Sequence, residues 1–233
     1  MIDYIHNLYR AGATAMPYRP TMLARTSILA LAVAFGRSDA RAQTPSTAPG
    51  VVPPTAAYIG ESADTDADAL PRWRVEDESG RMLWIHMAAP PADRPSFWAE
   101  IERAIDSWND VPGLPLSFRS TGNPRAADVR FRWTRRFGAN QAGTTDWKTD
   151  GEGWLASAVV TLAVEHADGT PMSDEFLLLV ALHELGHVVG LPHSGNPADV
   201  MHPGNRSRRL SERDVRSAQR LYTHGDTVSA GAP

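Results

Sequence analysis

Residues 183–193, reading H-E-L-G-H-V-V-G-L-P-H, constrain this chain more than any other stretch. On an α-helix, positions i and i+4 share a face, so His183 and His187 can offer ring nitrogens to one metal ion at roughly 2.0–2.1 Å. Glu184 comes one residue after His183, about 100° further around the helix, where its carboxylate can reach a metal-bound water without becoming a ligand. His193 supplies a third ligand if the helix stops and the chain turns back across the metal. Gly190 permits that turn because glycine adopts φ > 0 without a Cβ clash, and Pro192 discourages the helix from resuming. Three histidines leave the fourth tetrahedral position of a Zn2+ ion open, as in a catalytic site and not a closed structural one. The spacing predicts one catalytic zinc, a bound water whose pKa falls toward about 7, and Glu184 as the base that takes its proton for attack on a polarised carbonyl. A lone histidine on an apolar helix is more often a satisfied core residue, but three histidines and a glutamate at these intervals do not fit that reading.

The pattern H-E-x-x-H-x-x-G-x-x-H resembles that of the metzincin metallopeptidases, and its surroundings are similar to the matrixin branch. Ser194 follows the third histidine, as it does in matrixins. Met201, in D-V-M-H-P, matches the spacing of the methionine turn that underlies the metal, and Pro203 matches the residue that walls the S1′ pocket. Leu179, one helical turn before His183, matches the position that sets the depth of that pocket; a leucine there implies a medium hydrophobic site and cleavage before apolar residues such as Leu. Residues 210–222, L-S-E-R-D-V-R-S-A-Q-R-L-Y, resemble the closing matrixin helix. The resemblance spans about residues 72–224 and is strongest from Ser173 onward. It implies an α+β fold of the zincin type: a twisted mixed sheet of about five strands, an active-site helix and a backing helix, and a small C-terminal subdomain ending in a helix. It also implies a zinc endopeptidase acting on protein or peptide substrates, the substrate lying extended and antiparallel to an edge strand; a monomer is expected, secreted or periplasmic by virtue of the amino-terminal segment described below. That edge falls within 141–147 or within 154–162. Two alternatives stay open. One is a catalytically silent zinc-dependent binding protein, which the intact Glu184 argues against; the other is a zinc hydrolase of a non-peptide amide or ester.

The chain's 233 residues can hold one well-cored domain with length to spare. Residues 23–36 form a short apolar run preceded by arginines and followed by Ala40-Arg41-Ala42, the pattern of a secretory signal peptide cut after Ala42. The run is shorter than the roughly 20 residues that span a bilayer, so no stable membrane anchor is expected. Residues 1–21 sit ahead of this segment, and translation is expected to begin at Met16 or Met22. The sequence contains no cysteine, so it lacks the propeptide thiol that holds many matrixins latent. The net charge is −4, and removing residues 1–42 makes it more negative, which disfavours nucleic acid as a partner. Residues 43–70, rich in Pro, Thr, Ala, Ser and Asp, read as a disordered linker or a vestigial pro-segment whose Asp64, Asp66 and Asp68 could shield the metal. The catalytic domain is expected over 71–226, with a disordered tail at 227–233.

Within that domain, Trp73 and residues 82–87 read as a hairpin-like strand region. Phe97, Ile101, Ala104, Ile105 and Trp108 recur at helical spacing over 96–109, with Ser96 as cap. Short strands are expected at 116–118 and 128–133, a loop over 134–153, a strand over 154–164 and a helix beginning near Ser173. In the loop, Asp146, Asp150 and Glu152 could cup a Ca2+ ion, although turn chemistry accounts for the Asp-Gly and Glu-Gly pairs equally well. His166 and Asp168 are expected alone in a turn, leaving no match for the family's structural zinc. Ser211 and Asp214 form a capping box with Leu210 and Val215 as its staple, followed by an apolar stripe of Val215, Ala218, Leu221 and Tyr222. The seven tryptophans fall in predicted core elements, so packing is their expected role.

Overall fold

The computed structural model describes residues 56–60, 67, 70–138 and 141–223. The signal-peptide segment, most of the linker with Asp64, Asp66 and Asp68, and the 227–233 tail lie outside the described residues. Eight elements follow in order: β1 (Arg81–Met87), α1 (Phe97–Asn109), β2 (Leu116–Ser120), β3 (Val129–Thr134), β4 (Gly143–Thr149), β5 (Leu155–Ala163), α2 (Asp174–Val189) and α3 (Glu212–Thr223). None of the described helices is long and apolar enough to cross a membrane.

The strands form one sheet in the order β2-β1-β3-β5-β4. Neighbours are parallel except β4, which runs antiparallel to β5 and forms one edge. This is the α+β arrangement of a mixed five-stranded sheet with helices, as the sequence implied. Two local expectations are corrected. β1 is no hairpin arm, because its partners β2 and β3 are both parallel to it and parallel pairs need a crossover, which α1 supplies between β1 and β2. The loop expected over 134–153 contains β4, whose inward residues Gly143, Thr145 and Trp147 include only one large apolar side chain and so lack the usual strand pattern.

Alternation builds the sheet's inner face. Leu83, Ile85 and Met87 of β1, Val129 and Phe131 of β3, and Ala158, Val160 and Leu162 of β5 are all buried. Helix α1 packs its stripe of Phe97, Ile101, Ala104, Ile105 and Trp108 toward the β2 side of the sheet and against α2, and α2 lies over β5 and β4. Ser96 does not cap α1; its hydroxyl donates to Asp174 Oδ1 at 2.9 Å and ties the starts of α1 and α2 together. On the sheet's other face Met82 and Trp84 are exposed, so Trp84 is not a core residue. The fold also begins earlier than Arg72. Tyr58 and Ile59 are buried, and Tyr58 N donates to Ser217 Oγ of α3 at 3.0 Å, so two apolar residues in a polar stretch suffice to pin it to the core.

Helix α2 is buried on nearly all sides, as expected for a helix enclosed by a sheet, a second helix and a C-terminal subdomain. Ser173 caps it by accepting from Phe176 N at 3.2 Å. At its other end the last carbonyls lack the i+4 amide partner of the helix interior; Gly190 N donates to His187 O at 3.0 Å, and aromatic side chains from three distant parts of the chain supply further donors. Trp147 Nε1 donates to His187 O (2.9 Å), Trp73 Nε1 to Val188 O (2.7 Å) and Tyr222 Oη to Val189 O (2.8 Å). One turn earlier, Trp108 Nε1 donates to Leu182 O at 3.0 Å.

Candidate active site

Helix α2 ends at Gly190, which adopts the left-handed conformation (φ 108°). The next residue donates Leu191 N to Gly186 O at 2.9 Å, which reverses the chain. The reversal brings His193 against the two helical histidines: ring centroids lie 4.8 Å apart for His183–His187, 5.2 Å for His183–His193 and 4.8 Å for His187–His193. One nitrogen from each lies within 4.8 Å of the others, and this is the only group of three or more potential metal ligands found among the described residues.

Two backbone carbonyls set the ring tautomers. His183 Nδ1 lies 2.7 Å from Val200 O, and His187 Nδ1 lies 2.8 Å from Leu191 O. A carbonyl only accepts, so both Nδ1 atoms carry hydrogen and both Nε2 atoms present a bare lone pair. His183 Nε2 is buried with no hydrogen-bond partner, and His187 Nε2 faces His193 Nε2 at 3.2 Å. Three converging imidazoles, two of them oriented by a carbonyl behind the ring, fit Zn2+ by donor type and number.

Glu184 is 1% exposed. Its Oε2 accepts a 2.7 Å bond from Thr145 Oγ1 of the edge strand. Gly143, two residues earlier on β4, leaves room for it: a Cβ there would stand 2.6 Å from Glu184 Oε1. Neither β4 residue is signalled by the motif, since both act through a strand remote in sequence. Burial raises the Glu184 carboxyl to about 8, with the Thr145 bond opposing and the nearby Asp146 charge adding to the rise.

Burial also governs the imidazoles. It lowers His187 to about 3, reinforced by His193 and opposed by the Leu191 bond. It holds His183 well below the ordinary range, with His187 the next contributor, and it lowers His193, with His202 second. These values lie below those of the unfolded chain, so the stability the imidazoles contribute is present above about pH 6.5 and is lost as pH falls. Glu184 acts in the opposite sense: its raised value stabilises the fold at low pH, and that contribution is lost as pH rises from 4.5 through about 8. Three imidazoles outnumber the two carboxyls that burial raises, Glu184 and Asp214. With a chelator present, the urea midpoint should fall as pH drops below about 6.5. A midpoint constant over that range would count against neutral, buried histidines.

Beneath the histidines, Met201 is fully buried. A Cβ at Gly186 would meet its Sδ at 2.1 Å, so this glycine lets the methionine pack under α2. Asp214 holds the Met201 turn by accepting Val200 N at 2.8 Å and Met201 N at 3.3 Å. The same carboxylate accepts Ser211 N at 2.9 Å while Ser211 Oγ accepts Asp214 N at 3.0 Å, so the capping box of α3 and the support of the turn share one side chain. Asp199, also buried, joins Ser194 Oγ, Ser211 Oγ (2.7 Å) and Arg213 Nε (3.1 Å). The sequence pointed to Asp214 only as a cap and gave no sign of Asp199. Leu179 is half-buried, and its carbonyl accepts Asn205 Nδ2 at 3.3 Å, two residues past Pro203.

The three carboxylates considered for calcium do not converge. Asp150 Oδ1 accepts Glu152 N (2.8 Å) and Trp154 N (3.0 Å), Glu152 pairs with Arg74, and Asp146 lies exposed on β4. Turn chemistry therefore accounts for this stretch. Asp168 likewise closes a turn through Thr170 N at 2.9 Å. Of the two edge candidates, β4 is the edge; β5 is interior.

A family model described as Matrixin matches residues 82–223. Among curated relatives, stromelysin-2 of Rattus norvegicus is 33% identical over 168 residues, which cover 65% of this chain and 33% of that protein. Matrix metalloproteinase-26 of Homo sapiens is 30% identical over 181 residues, covering 70% of this chain and 63% of its own length. Metalloendoproteinase 1 of Glycine max is 25% identical over 174 residues, covering 66% and 53%. The chain thus spans between a third and somewhat under two thirds of these relatives.

Proposed function

This chain belongs to the matrixin family, and from that premise we propose that it is an exported zinc endopeptidase whose ligands are His183, His187 and His193 and whose general base is Glu184. The observation that carries the reading is the buried, partnerless Nε2 of His183 facing two further imidazoles. Zinc bound there supplies Lewis acidity, which acidifies a coordinated water and polarises a substrate carbonyl. The protein's own groups do the rest. Val200 O and Leu191 O keep Nε2 of His183 and His187 free of protons. Glu184, steadied by Thr145, accepts a proton from water and passes it to the leaving amine. Strand β4 offers its free edge to an extended substrate, next to Glu184.

Leu179 and Pro203 line the pocket for the residue after the scissile bond, and Leu179 gives it a medium hydrophobic character. Cleavage-site profiling of the zinc-loaded protein starting at Gln43 should show Leu and similar apolar residues at P1′. A profile dominated by charged P1′ residues would refute this assignment. Export through removal of residues 1–42 is checked by the amino terminus of the mature product, expected at Gln43.

A further inference from the structure

An open cavity of about 530 Å³ lies between α1 and the segment that joins Met201 to α3, lined by Arg103, Ser207, Arg208 and Arg209. More than a hundred residues separate Arg103 from the other two arginines, so no basic run in the sequence announces this grouping. Arg103 shares its charge with Glu100 at 2.7 Å. Arg208 and Arg209 are exposed, and no ion pair among the described residues engages either. The lining therefore carries net positive charge on a chain whose overall charge is −4.

The segment is held in shape by its own hydrogen bonds. Ser207 N donates to Asn205 Oδ1 at 2.6 Å, and Ser207 Oγ donates to Arg209 O at 2.6 Å. Asn205 Nδ2, bonded to Leu179 O at 3.3 Å, tethers it to α2 one turn before His183. At no more than about 3.6 Å per residue, the Cα of Arg208 stands within roughly 11 Å of that of Asn205. Through Asn205, the segment that lines the cavity is thus anchored on α2 at Leu179. Exposed single ion pairs bind weakly, but a carboxylate that enters a cavity lined by several arginines gains more than one charge-assisted hydrogen-bond donor.

We propose that this cavity is a subsite for acidic side chains of the substrate, Asp or Glu, lying beyond the residue received at Leu179. Its role in cleavage rests on the peptidase reading above; its capacity to bind carboxylates does not. The test uses the full chain and a labelled peptide carrying three glutamates, beside its glutamine twin. At low ionic strength the chelated protein should bind the glutamate peptide about tenfold or more tightly than the twin, a gap that salt and the double variant Arg208→Glu/Arg209→Glu abolish. In the zinc-loaded protein the ratio of kcat/KM for acidic over neutral substrates should fall by a similar factor in that variant. Equal binding of the two peptides, or a gap that survives the charge reversal, overturns the proposal. If the chain cleaves neither substrate, the peptidase reading fails while the binding gap still decides this one.

Discussion

Glu184→Ala should lower kcat/KM by about 10²–10⁴-fold, the range typical of a lost general base. Fold and zinc content should be retained. Glu184 is not among the converging nitrogens, so three ligands remain after the change. Its carboxyl is buried and raised to about 8, so folding bears a desolvation cost that alanine removes. Loss of the side chain leaves Thr145 Oγ1 within 3.1 Å of the helix carbonyl Glu184 O, so the hydroxyl keeps an acceptor. The measurement pairs peptide hydrolysis with zinc stoichiometry and a denaturation midpoint. Undiminished hydrolysis would move the base elsewhere, and loss of zinc with activity would make Glu184 a structural residue.

Gly190→Ala should have the largest effect on the fold itself. The residue sits at φ 108°, and a Cβ there would stand 2.4 Å from Pro71 O and 3.0 Å from Leu221 Cδ2. A left-handed non-glycine residue costs about 1–2 kcal/mol, and forced overpacking typically adds about 1–3 kcal/mol. Relief requires the backbone at Pro71 or the turn to move. Moving the turn displaces Leu191, whose carbonyl orients His187, and carries His193 with it. Zinc affinity and stability should therefore fall together, read by chelator competition and urea denaturation. A variant with native stability and native zinc affinity would show that the turn has slack.

The parts of the site legible in the sequence are those made by local spacing. The i, i+4 histidines, the glycine that ends α2, the start of α2 near Ser173 and the Ser211–Asp214 box each depend on residues within one or two helical turns. What could not be read depends on pairing across the fold. Strand β4 shows Gly143 and Thr145 where a strand pattern would put large apolar residues, because those positions must admit and hold Glu184. Ser96 looks like a cap and binds Asp174 instead, a partner on another helix. Tyr58 and Ile59 lie in a stretch whose composition argues for solvent, yet Ser217 and the core receive them. The acidic turn after β4 erred in the other direction: its carboxylates suggested an ion, and backbone amides and Arg74 take them.

The indole and phenol donors that satisfy the carbonyls at the end of α2 bear on how the molecule opens. Helix ends ordinarily fray with little cost, and amides there exchange with solvent quickly. Here, freeing the last turn of α2 would break bonds from Trp147, Trp73 and Tyr222, which belong to the edge strand, the segment before β1 and the final helix. No single segment can peel away and release the histidines alone. The amides of 186–191 should thus exchange with the slowest class in the protein, through global opening, so that the metal site and the whole fold share one clock.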